Sequence, residues 1–227
     1  MALKLKDRKE AGEMLANALR NYVDKDVIVY ALPRGGVIPA IEIARALRSP
    51  LDLIIVRKIG HPHQPEYAVA AVAENGDLIG SEEELIKLNK VWLKAEVEAQ
   101  RQEAKRRREK YLQGKFPLSA QGKIAILVDD GIATGLTIRI AIQELKRQQP
   151  QKIIVAVPVA PKSVAEYLNS QVDEIAMLDI PEDLDYLGAV GAYYHSFPQV
   201  EDEEVITLMK FYEKEYAETK KKPNAFK

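Results

Sequence analysis

The chain is expected to fold as an α/β domain whose central sheet is mostly parallel and covered by helices on both faces. Three observations predict this. Short apolar runs at Val27–Leu32, Ile126–Val128 and Ile153–Val157, and one at Leu51–Val56 interrupted by Asp52, have the length and β-branched content of strands buried on both sides. Between them, segments such as Val37–Leu47 and Ile138–Leu145 carry apolar residues at helical spacing. Each run ends in Gly, Pro or charged residues, which close a strand and open a loop. Strands that alternate with helices pair in parallel. The 227 residues, 47% hydrophobic and 30% charged, suit one globular domain spanning residues 1–227 with a sizeable core.

Along the chain, Asp7 and Glu10 form a capping box before a helix carrying Ala11, Met14, Leu15, Ala18 and Leu19. Two strand–helix units follow, through Val56. Residues 57–66 contain Gly60, Pro62 and Pro65 and read as a loop. Tyr67–Ala73 reads as a strand, Glu74–Asp77 as a turn and Leu78–Gly80 as a return strand, which makes a hairpin. Residues 81–114 are a helical insertion. Ser81 and Glu84 repeat the capping pattern, and one long charged helix runs to Leu112. Its distal part is basic, with Arg101, Lys105, Arg106, Arg107, Arg108 and Lys110. Glu96, Glu98, Glu103 and Glu109 lace it, so a solvated helix end is the first reading and a contact surface for phosphate, nucleic acid or a partner subunit the second. Beyond Val157, Ser163–Leu168 is a short helix and Ile175–Leu178 a further strand. Residues 179–217 comprise a loop bearing Tyr186, Tyr193, Tyr194, His195 and Phe197, then a helix from Glu201 to Ala217. Lys220–Lys227 reads as a basic tail.

Several classes of function are excluded or disfavoured. There are no cysteines, so neither a disulfide frame nor a thiolate metal site can form. The three histidines, His61, His63 and His195, have no metal-ligand spacing beyond a His-Pro-His loop. With a net charge of −1 and a pI near 6.4, global attraction to nucleic acid is not expected. No apolar run reaches membrane-spanning length and Met1–Lys6 lacks the pattern of a signal peptide, so a cytoplasmic protein is expected.

The chemistry-bearing stretch is Ile126–Thr137. An apolar strand ends in Asp129 and Asp130, and Gly131-Ile132-Ala133-Thr134-Gly135-Leu136-Thr137 leads into a helix. Backbone N–H groups at such a helix N-terminus bind an anion. The adjoining carboxylates accept hydrogen bonds from hydroxyls or help hold a divalent cation. A phosphate cradle beside a polyol or metal site points to a sugar phosphate. Two further segments lie at strand ends. Pro33-Arg34-Gly35-Gly36 follows the Val27–Leu32 run, and its glycines let backbone approach a ligand closely. Arg57 and Lys58 follow the Leu51–Val56 run and present two cations. Ligands of open α/β sheets bind outside such strand ends.

The Ile126–Thr137 segment resembles the phosphoribosyl pyrophosphate (PRPP) signature of the type I phosphoribosyltransferases, and the two other segments occur in that family's order. The resemblance implies that Asp129 and Asp130 address the ribose hydroxyls and, directly or through PRPP, Mg²⁺. It implies that Ile132, Ala133, Thr134, Gly135, Leu136 and Thr137 wrap the 5′-phosphate. Arg34, Gly35, Gly36, Arg57 and Lys58 would bind pyrophosphate, with Arg57, Lys58, Asp129 and Asp130 taking part in catalysis. It further implies a cis peptide at Arg34–Gly35, a flexible loop in the hairpin region, a hood at 179–217, and a homodimer. The implied reaction moves the phosphoribosyl group from PRPP to a nitrogenous base. Tyr193 and Tyr194 are candidates for stacking on that base, and Gly60–Glu66 with Asp179–Phe197 for its selection. The alternative is a regulator on the same fold that senses PRPP or nucleotides, with RNA as a further partner. No purine, pyrimidine or orotate branch matches the Gly60–Glu66 loop, so the acceptor stays open.

Overall fold

Side-chain alternation along the buried strands decides which helix covers which face. The computed structural model describes residues 3–221. Five strands, β1 (Val27–Ala31), β2 (Leu51–Leu53), β6 (Ile124–Val128), β7 (Lys152–Val159) and β8 (Glu174–Asp179), form an all-parallel sheet in the order β2-β1-β6-β7-β8. Every residue of β1 and β6 is buried, as an unbroken apolar run requires. Val27, Val29, Ala31, Ile126 and Val128 face α1 (Arg8–Ala18), α2 (Val37–Leu47) and α7 (Asp202–Lys221). The intervening Ile28, Tyr30, Ala125 and Leu127 face α5 (Leu136–Arg147) and α6 (Lys162–Asn169). Successive strand residues point to opposite faces, so one contiguous apolar run supplies both cores.

A second sheet is antiparallel and joins β3 (Val56–His61), β4 (Gln64–Ala73) and β5 (Leu78–Gly80) in that order. The expected single strand through Leu51–Lys58 is therefore two strands. The chain leaves the parallel sheet at Ile54 and starts the antiparallel one at Val56. The expected loop over 57–66 is likewise largely strand, tightened where Gly60 backs onto Pro65. A Cβ on Gly60 would lie 2.1 Å from the Pro65 carbonyl oxygen. The Glu74–Asp77 turn is as expected, with Gly76 at φ +94° and Asn75 bonded to the Asp77 amide at 2.8 Å.

The expected helix from Ser81 to Leu112 is two helices, α3 (Glu82–Lys87) and α4 (Lys90–Leu112). Leu88 turns inward, and Asn89 recaps the chain by accepting from the Val91 and Trp92 amides. Ser81 makes no side-chain cap bond, whereas Asp7 accepts from the Glu10 amide at 2.9 Å. The basic end of α4 is largely paired within the chain. Arg106 and Arg107 bond Glu103, Lys110 bonds Asp202 and Glu203, and Arg108 is buried against Asp52 of β2. The expected tail falls mostly outside the described residues. No helix among the described residues is long and apolar enough to cross a membrane.

Candidate active site

The site begins with register. Ala31 of β1 lies opposite Val128 of β6, so the two strands release Pro33–Gly36 and Asp129–Thr137 side by side. The Leu32 amide donates to the Val128 carbonyl at 2.9 Å, which carries the pairing one residue further. The loops then touch. A Cβ on Gly35 would lie 1.9 Å from Asp130 Oδ2, and one on Gly36 would lie 2.6 Å from the Leu32 carbonyl oxygen and 2.9 Å from the Asp129 Cα. Both glycines are there because no side chain fits between the loops. Asp129 and Asp130 are half-buried, and the Asp130 amide donates to Asp129 Oδ1 at 2.9 Å.

Gly135 caps α5 in the left-handed region, at φ +73°. The first turn of α5 leaves backbone N–H groups without intrahelical partners at the positive end of the helix dipole. These groups open onto a cleft of about 360 Å³ lined by Asp129, Asp130, the 131–138 loop, Lys58, Arg8, Val190 and Phe197. Lys58, on β3, is exposed and is the cation the antiparallel sheet presents there. An amide-rich loop, an acidic pair and a facing ammonium in one cleft fit a phosphorylated sugar. A second cavity, of about 230 Å³, lies between the start of β2, the end of α4 and α7. Its lining is dominated by Tyr111, Phe116, Met209 and Tyr212 and shares no residue with the cleft.

Electrostatics make the acidic pair unequal. Loss of hydration, together with the charge of Asp130, pushes the Asp129 carboxyl well above the usual carboxylate range. Asp130 instead accepts a 2.7 Å hydrogen bond from Arg8 Nε, whose side chain is 7% exposed. Among the described residues no group of three His, Asp or Glu side chains is placed to hold a metal ion. The donors fit a cation that arrives with its own phosphate oxygens, and not a self-standing metal centre.

Some expected site residues stand elsewhere. The Arg34 side chain turns away from the cleft to Glu201 and Asp202, at 3.2 and 3.5 Å. Arg57 bonds Gln100 of α4 through Nε at 3.0 Å, and burial with the nearby charge of Arg107 lowers its pKa. Tyr193 and Tyr194 are not stacking platforms. Both are buried in a cluster with Leu5, Ala11 and Val159, and the Tyr194 hydroxyl donates to the Asp130 carbonyl at 2.7 Å. Polar hydroxyls let these rings serve as core while bracing the loop. The cis bond falls one residue earlier than expected, at Pro33–Arg34. Gly60–Glu66 does not line the cleft, whereas Val190 and Phe197 of the aromatic segment do.

Arg8 belongs to no motif in the sequence. One signal marks it: a cation in the first turn of α1 opposes the helix dipole, so its presence calls for a buried anion nearby.

Comparison with known proteins bears on the fold and the family. Residues 4–183 match the family model described as the phosphoribosyl transferase domain. Two curated Mycobacterium tuberculosis proteins, from strains CDC 1551 / Oshkosh and ATCC 25618 / H37Rv, carry provisional phosphoribosyl transferase names. Each is 36% identical over 214 residues, which is 93% of this chain and 48% of the relative. The chain thus spans about half the length of these relatives. The crystal structure of TT1426 from Thermus thermophilus superposes with a TM-score of 0.76 at 36% identity, covering 92% of this chain and 99% of that one.

Proposed function

The chain belongs to the phosphoribosyl transferase domain family, and we propose that its cleft binds PRPP and transfers the phosphoribosyl group to a nitrogenous base, releasing pyrophosphate. One observation carries this reading: Asp129 and Asp130 stand beside the amide-rich 131–137 loop in the same cleft that Lys58 faces.

In this reading the loop amides and the α5 dipole hold the 5′-phosphate. Asp129 and Asp130 accept from the ribose hydroxyls and offset the positive charge that grows on the sugar as its bond to pyrophosphate breaks. Lys58 meets the opposite charge growing on the leaving group. The Gly35 and Gly36 backbone, free of side chains, lies next to the acidic pair and can approach pyrophosphate. Arg34 and Arg57 contribute charge from behind, since their guanidinium groups are engaged with Glu201 and Gln100. Mg²⁺, carried in by PRPP and completed by the acidic pair, would neutralise the diphosphate. Val190 and Phe197 are the apolar wall available to the base, in place of Tyr193 and Tyr194. A homodimer and a cytoplasmic setting belong to the same proposal.

The test is a panel of purines, pyrimidines and related heterocycles, assayed for PRPP-dependent pyrophosphate release in the presence of Mg²⁺. Sustained release with one base is expected. Tight PRPP binding without release on any base would instead favour a PRPP sensor.

A further inference from the structure

Three segments distant in sequence meet at one guanidinium. Arg8 Nε donates to Asp130 Oδ2 at 2.7 Å, and Arg8 Nη1 donates to the Pro198 carbonyl at 2.7 Å. The Arg8 Cζ stands 3.6 Å from the centroid of the Phe197 ring. Phe197 in turn stacks on Tyr194 at 4.8 Å, and Tyr194 bonds the Asp130 carbonyl. The Arg8 side chain also lies against Gly35, since a Cβ there would come 3.1 Å from Arg8 Nε. Arg8 is thus hydrogen-bonded, stacked and enclosed, while still lining the cleft.

Stability alone gives a poor account of this arrangement. A buried cation at the start of α1 loses hydration and opposes the helix dipole. An apolar residue of similar volume would fill the space without either cost. What the guanidinium adds is geometry. Its planar fork engages one oxygen of Asp130 and a backbone carbonyl of the 197–198 segment at once. With Oδ2 held by Arg8, the Asp130 carboxylate is fixed in one orientation at the edge of the cleft.

We propose that Arg8 is the positioning residue of the ribose site: it orients Asp130 toward the sugar and ties that carboxylate to the Phe197–Pro198 wall on which the acceptor would rest. The inference rests on reading the cleft as a PRPP site. It makes sugar recognition separable from phosphate recognition. The 133–137 amides hold a phosphate without Arg8, whereas the sugar hydroxyls depend on a pre-set Asp130.

The test is calorimetric titration of inorganic phosphate and of ribose 5-phosphate into wild type, Arg8→Met, Arg8→Lys, Asp130→Asn and the Arg8→Met/Asp130→Asn double variant, with melting temperatures recorded alongside. Arg8→Met should weaken ribose 5-phosphate about tenfold and leave inorganic phosphate within about twofold, a gap equal to a charge-assisted hydrogen bond. Lys restores the charge and should recover part of the loss. In the Asn background, Arg8→Met should cost no more than about twofold, because the carboxylate it positions is gone. An equal loss for both ligands that follows the melting temperature, with Lys no better than Met, would make Arg8 purely structural and overturn the proposal. Unchanged ribose 5-phosphate affinity in Arg8→Met would do the same. Failure of wild type to bind ribose 5-phosphate at all would instead remove the PRPP reading beneath it.

Discussion

Gly35 and Asp130 occupy adjacent space so closely that a single added carbon at Gly35 would sit 1.9 Å from the Asp130 carboxylate oxygen. The two loops that the resemblance assigns to pyrophosphate and ribose are therefore one packed unit. Gly35→Ala should push Asp130 off its Arg8 partner. Overpacking of this kind costs about 1–3 kcal/mol. Thermal melting should fall accordingly, and Mg·PRPP affinity should drop at least as much as in Asp130→Asn. A variant with unaltered melting and binding would show that the loops yield freely.

The acidic pair itself should be needed for binding. Asp→Asn at either position keeps size and removes charge, and each should weaken Mg·PRPP by about 1.5–3 kcal/mol. Because Asp129 sits above the usual carboxylate range and Asp130 is paired with Arg8, the Asn at 130 should be the more damaging. Equal affinity in wild type and the double variant would reject the role.

Lys58 should act on chemistry more than on docking. It is an exposed cation lining the cleft, where on the proposed function it would meet the charge that grows on the leaving diphosphate. Lys58→Ala should lower kcat more than it raises KM. A rise in KM with kcat unchanged would make it a binding residue only.

How far the sequence can be read follows from what each feature depends on. The β1, β6 and β7 strands and the acidic loop are legible because their signals are local: an apolar run, then glycines and carboxylates. The Leu51–Lys58 stretch misleads because its apolar run continues across Ile54 and Ile55, where the chain changes sheets. Nothing local marks that switch. The break at Leu88–Asn89 is hidden by charge on both sides, although Asn89 is a good cap. Tyr193 and Tyr194 look available for stacking because a tyrosine in a loop carries no sign of burial. Arg8 lies 122 residues from Asp130, so only the fold brings the two together.

The same long-range logic governs stability. Arg108 of α4 grips Asp52 of β2 with hydrogen bonds of 3.0 and 3.1 Å, and the two side chains are 10% and 4% exposed. Arg108→Met would leave the buried Asp52 without its counter-charge, with the Leu53 and Leu118 amides still donating to it, a loss of about 3–5 kcal/mol. Chemical denaturation should show it as a lower midpoint. A loss under about 1 kcal/mol would mean that water reaches Asp52 and that the pair is not sealed.

Glu144 sets a pH dependence. Burial, then the carboxylates of Glu74, Asp77 and Asp52 acting against Arg108, push it up to about 7 from an ordinary 4.5. A carboxyl raised on folding contributes stability that is full below about 4.5 and lost as pH rises through about 7. Wild type should therefore lose about 1–3 kcal/mol across that window, and Glu144→Gln should flatten the profile and be the more stable at pH 7. Melting curves taken at half-unit pH steps decide it, and parallel profiles for the two proteins would contradict the assignment.

On the proposed function, one cleft reads a sugar phosphate through two adjoining devices. A crystal structure with ribose 5-phosphate measures this directly. The phosphate is expected on the backbone amides of Ala133–Thr137, since the Ile132 amide is committed to the Val159 carbonyl at 2.9 Å, and the sugar hydroxyls on Asp129 and Asp130. A phosphate bound elsewhere, with this loop and both carboxylates free of ligand, would contradict it.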